Sequence, residues 1–81
     1  MNKDDALALV SGMLHELAPE IDLATADKGA PLGEEFDLDS FSLLTLVQML
    51  DARAGLDVPE RDYAQLSSFD ALVAYVAAHA A

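Results

Sequence analysis

Three stretches of this chain carry apolar residues at steps of three and four, and that spacing confines the fold to packed helices. The strongest runs from residue 40 to about 54, where Leu43, Val47, Leu50 and Ala54 form one stripe, broadened by Leu46. Gly55 follows it as a C-cap glycine does. In residues 3–18 the stripe is Leu7, Val10, Leu14 and Leu17, with Asp4 and Asp5 at the positive end of the helix dipole, Gly12 as a mild weak point and Pro19 as the stop. The last stretch sets Phe69, Leu72, Val73 and Val76 on one face behind a cap at Ser67 or Ser68, with Asp70 in the first turn. Its alanine-rich end, residues 77–81, is expected to fray.

The connectors differ in length. Residues 19–36 hold Pro19, Gly29, Pro31 and Gly33 without periodicity and read as a long loop containing one turn of helix, pinned by Ile21, Leu23, Leu32 and Phe36. Leu56 to Pro59 is extended, because proline disfavours helix at the residue before it. Residues 60–66 make a short helix that turns Tyr63 and Leu66 inward. The expected fold is all-α: a small four-helix bundle of three main helices and one short helix, with a long loop between the first two. With 81 residues the chain reads as one domain, 1–81, near the size at which a core must be used economically. The 53% apolar content, with four Gly and three Pro, suits helices.

Fifteen acidic residues against four basic ones give a net charge of -11, which repels phosphate backbones and anionic lipid heads. Nucleic acid and membranes are therefore excluded as partners, and proteins with basic patches are favoured. The same charge also keeps a small apolar domain soluble. No cysteine is present, so any thiol chemistry needs an added group. An acidic start and the lack of an apolar run near 18 residues point to a soluble, cytoplasmic chain, which is expected to be a monomer.

Catalytic material is sparse. His15 and His79 lie on the terminal helices and read as solvated or packing groups, with no metal-ligand spacing around them. Asp37, Asp39 and Phe41 fall at the first, third and fifth places of a calcium loop, but Phe41 cannot ligate, Ser42 stands where glycine is required and Gln48 replaces the bidentate glutamate. No metal site is expected. The remaining candidate is the stretch Asp37-Leu38-Asp39-Ser40-Phe41-Ser42-Leu43-Leu44, in which Asp39 or Ser40 suits an N-cap and Phe41 and Leu44 fall off the buried stripe.

Asp39-Ser40-Phe41 at the mouth of the second helix resembles the Asp-Ser-Leu modification motif of acyl carrier proteins. The resemblance continues through Leu43, Leu46, Val47 and Leu50, through Gly55-Leu56-Asp57-Val58-Pro59, and through the run from Ser67 to Val76. It is close over about residues 36–77 and covers the first helix by pattern alone. It implies that Ser40 is the attachment point for 4'-phosphopantetheine, brought from coenzyme A by a magnesium-dependent phosphopantetheinyl transferase, with Asp39 as the motif acid. Acyl groups would then ride on the arm as thioesters between acyl-loading and acyl-accepting enzymes, and the chain itself would not be an enzyme. Phe41 and Leu44 would form a partner contact ringed by Asp37, Asp39, Asp51 and Asp57.

The chain departs from the family pattern where acid is usual two and five residues after the serine, at Ser42 and Thr45, and at Arg53. These departures favour a specialised carrier for a polyketide, peptide or other dedicated acyl pathway. The alternative from another class is an unmodified acidic helical interaction module in which Ser40 serves only as a helix cap. A third reading makes Ser40 the nucleophile of a small hydrolase with a histidine base.

Overall fold

A computed structural model describes residues 1–80. Helix α1 (Lys3–Leu17) opens on Asn2, whose side chain accepts the Asp5 N–H at 2.7 Å. A one-turn α2 (Leu32–Glu35) sits at the end of the long loop, α3 (Ser40–Ala54) follows, then a 3-10 helix (Glu60–Leu66) and α4 (Phe69–His79). The all-α bundle with a long first loop is therefore as expected. α4 packs chiefly on α1 and on the 3-10 helix, and α1 also touches α3. Among the described residues no helix is long and apolar enough to cross a membrane.

The buried stripe of α1 is Ala6, Val10, Met13 and Leu14: Val10 and Leu14 are buried as expected, whereas Leu7 is 42% exposed and Leu17 is half-buried. α1 lies against α4, and the small, fully buried Ala6 suits close approach of the two helices. On α3, Leu46 and Leu50 are the fully buried pair, while Leu43, Val47 and Ala54 are half-buried. Gly55 ends α3 in the left-handed conformation, as the sequence requires. On α4 the expected Phe69, Leu72, Val73 and Val76 are all buried behind the Ser68 cap, joined by Tyr75. The alanine-rich end is firmer than expected: the helix runs to His79, Ala80 is buried, and its carbonyl accepts the Met1 amine at 2.6 Å. Ala81 lies outside the described residues.

The long loop is stitched to the start of α4. Leu32 N–H donates to the Ser67 carbonyl at 2.7 Å, and Asp70 N–H donates to the Lys28 carbonyl at 3.1 Å. Phe36 stacks on Phe69 with ring centroids 6.3 Å apart, and the Lys28 ammonium lies 5.8 Å above the Phe69 ring. Ile21 and Leu23 are half-buried against the core, and Leu32, Phe36 and Leu38 are fully in it. These contacts fix the point from which the chain enters α3.

Candidate functional site

Past the Phe36 cap of α2 stands Asp37 at φ 52, a left-handed residue in the position that closes many helices, which aspartate adopts more readily than most side chains. The turn brings Leu38 N–H to the Gly33 carbonyl at 2.9 Å, and a Cβ on Gly33 would stand 3.1 Å from the Leu38 carbonyl oxygen. Leu38 is thereby buried, and Asp39 emerges extended at the mouth of α3. Asp37 thus has a local task in shaping this entry.

Asp39 is the N-cap of α3, its Oδ1 accepting the Ser42 N–H at 2.8 Å. Ser40 is the first helical residue, exposed, and among the described residues its hydroxyl has no hydrogen-bond partner. Of the two capping candidates the structure selects Asp39 over Ser40: a capping side chain must precede the helical residues, and Asp39 holds that place. The same geometry leaves the Ser40 oxygen directed to solvent at the positive end of a 15-residue helix. No histidine hydrogen-bonds it among the described residues; the His79 ring lies instead 4.2 Å from the Tyr75 ring, centroid to centroid.

Hydrogen bonds from Ser42, by its backbone N–H first and its hydroxyl next, hold the Asp39 carboxyl below the usual range. A carboxylate depressed in the folded state contributes its stability above its unfolded pKa and loses it as pH falls through the folded one. Asp39→Asn caps comparably without titrating. The fall in melting temperature from about pH 7 to about pH 2.5 is expected to be smaller in this variant than in the parent, followed by circular dichroism. An equal fall in both would show that the Asp39 charge contributes nothing to the cap.

Phe41 is 76% exposed and Leu44 is 46% exposed, one turn apart beside Ser40. Asp37, Asp39, Asp51 and Asp57 are all exposed, but they lie at the two ends of α3, since Asp51 stands about 16 Å along the axis from Ser40. Between them the outer face is uncharged. Thr45 turns its hydroxyl onto the Phe41 carbonyl at 3.1 Å, and Gln48 follows. Arg53 is engaged by α1, where its guanidinium grips both oxygens of Glu16, the second contact at 2.7 Å. This pairing holds the Glu16 carboxyl low and raises Arg53.

A cleft of about 380 Å³ opens beside Ser40, lined by Leu43, Leu44, Leu46 and Val47 of α3 and by Tyr63 and Leu66 of the 3-10 helix. Tyr63, expected inside, is 40% exposed at this cleft, whereas Leu66 is buried. Three residues per turn align the two on one side of the 3-10 helix, with the outer member reaching the rim. The sequence carried no direct signal for the cleft, because it is a gap between two elements whose spacing no local periodicity sets.

A family model described as the phosphopantetheine attachment site matches residues 5–76. The chain belongs to that family. Comparison with curated proteins and with solved structures gave no match. The family's group is 4'-phosphopantetheine, held covalently, and its domains are typically non-catalytic carriers served by a phosphopantetheinyl transferase and by partner enzymes. This agrees with the acyl carrier resemblance of the sequence. The carrier domain also offers chemistry suited to the group: an exposed hydroxyl, a helix N-terminus to face a phosphate, and an apolar cleft alongside.

Proposed function

We propose that Ser40 carries the 4'-phosphopantetheine arm and that the chain delivers acyl groups, held on the arm as thioesters, to partner enzymes. The observation that carries this reading is the division of labour at α3: Asp39 caps the helix, and the neighbouring Ser40 hydroxyl, at the mouth of an apolar cleft, has no hydrogen-bond partner among the described residues. When bound, the arm supplies the thiol that a chain without cysteine lacks.

The Ser40 oxygen attacks the phosphorus of the coenzyme A pyrophosphate that bears the arm. The bond to the adenosine bisphosphate breaks, and the hydroxyl proton goes to a base of the transferase. The amide groups at the start of α3 and the helix dipole then favour the phosphodiester at its root. The cleft, within the range of small-molecule pockets, gives an apolar acyl chain shelter from water. Asp37, Asp39, Asp51 and Asp57 draw basic patches of the transferase and of the loading and accepting enzymes, while Phe41 and Leu44 supply the apolar contact. The uncharged middle of α3, at Ser42 and Thr45, supports a carrier dedicated to a polyketide, peptide or other special acyl pathway.

Incubation with coenzyme A, magnesium and a phosphopantetheinyl transferase of broad specificity is expected to add one arm by mass spectrometry. No addition with several such transferases would contradict the reading. Phe41→Ala is expected to keep its helicity, since the ring is exposed, yet to be loaded about fivefold or more slowly, the loss of an interface contact worth ~1 kcal/mol. Unchanged loading kinetics would remove Phe41 from the contact.

A further inference from the structure

The wall of the cleft opposite α3 is an unusual element. The 3-10 helix is seven residues long, whereas runs beyond three or four residues are uncommon because the hydrogen-bond geometry is poor. Pro59 at its start offers no side-chain cap. On one side it presents Tyr63 and Leu66 to the cleft, so a gap separates it from α3 there. Its support comes from α4, through the buried Leu66 and through one polar tie.

The Tyr75 hydroxyl donates to Asp62 Oδ2 at 2.7 Å, and Gln65 Nε2 donates to Asp62 Oδ1 at 3.3 Å. Tyr75 is 5% exposed, with its ring held in the core of α4 and against His79. A rigid aromatic thus reaches out and holds a partly exposed carboxylate of the adjoining helix. Hydrogen bonding to Asp62, with burial, raises the Tyr75 phenol above its ordinary value, so it remains a proton donor throughout the neutral range.

We propose that Tyr75 and Asp62 form a latch that fastens the 3-10 helix to α4 and thereby sets the width of the cleft and the length of chain it shelters. Both are positioning residues, acting on the cleft through Tyr63 and Leu66. That the sheltered chain is an acyl group rests on the function proposed above; the latch itself does not.

The test uses Tyr75→Phe, Asp62→Ala and Asp62→Asn in the full chain. By amide hydrogen exchange of the unmodified protein, Tyr75→Phe and Asp62→Ala are each expected to speed exchange in residues 61–66 about tenfold, with Val10, Met13 and Leu14 of α1 unchanged. The double change is expected to be no faster than Asp62→Ala alone, since that change already breaks the Tyr75–Asp62 bond together with the Gln65 contact. Asp62→Asn keeps an oxygen that accepts the Tyr75 proton and is expected to exchange within about twofold of the parent. On protein carrying an octanoyl thioester, hydroxylamine cleavage is expected to be several-fold faster in Tyr75→Phe. Unchanged exchange in residues 61–66, or an equal rise in α1, would overturn the latch. Failure of Ser40 to take an arm would leave the exchange result standing as its test, and would count against the carrier reading alone.

Discussion

Replacement of Ser40 by Ala is expected to abolish arm attachment and to leave the fold as it was. The first outcome follows because no carbon can replace the oxygen that bonds to phosphorus, so the expected loss is complete. The second follows from the position of the cap. Asp39 accepts the Ser42 N–H, and residue 40 is the first helical residue, where alanine is a good helix former. Mass spectrometry after incubation with coenzyme A and a transferase reads the first, and circular dichroism melting reads the second. The matched variant Asp39→Ala separates the roles: it removes the cap while keeping the nucleophile, and it is expected to lower the melting temperature without preventing attachment altogether. If Ser40→Ala melted like Asp39→Ala, the hydroxyl would be structural and the interaction-module alternative would gain.

Phe69→Ala is expected to come close to unfolding the chain. Phe69 is 1% exposed, stacks on Phe36 and lies under the Lys28 ammonium. Truncating a buried Phe costs about 3–5 kcal/mol. An 81-residue domain has a total of about 4–12 kcal/mol, and each kcal/mol moves the melting point by about 4–8 °C at this size. A drop on the order of 15–30 °C is therefore expected by circular dichroism. The loss reaches the site as well, because Phe36 and the stitches at Lys28 and Leu32 are what anchor the loop that delivers Asp39 to α3. Phe41→Ala, at a ring 76% exposed, is the contrast, with an expected change within about 0.5 kcal/mol. A shift of only a few degrees in Phe69→Ala would mean that the loop is held elsewhere.

Much of this was legible in the residues. The α3 boundaries, the Gly55 stop, the Ser68 cap and the α4 core follow from local rules of spacing and capping, which act over a few residues and are written in them. The exposure of Phe41 and Leu44 followed from the same angular count. What was not legible depends on helix type and on how separate elements face one another. Leu7 lost its place to Ala6 and Met13 because α4 chooses the face of α1 that it covers. Tyr63 moved to a cleft rim because a 3-10 turn aligns it with Leu66. Arg53 had no visible partner until the fold brought Glu16 from 37 residues away. The Tyr75 tie to Asp62 joins two elements whose facing sides no periodicity announces.

Intact mass spectrometry of the protein purified from its own cell, with fragmentation to locate any added group, tests the central claim most directly. The account predicts the mass of the chain plus one 4'-phosphopantetheine on Ser40, with or without an acyl group on its thiol. A chain found only at its unmodified mass, or one bearing the arm on another residue, would contradict it.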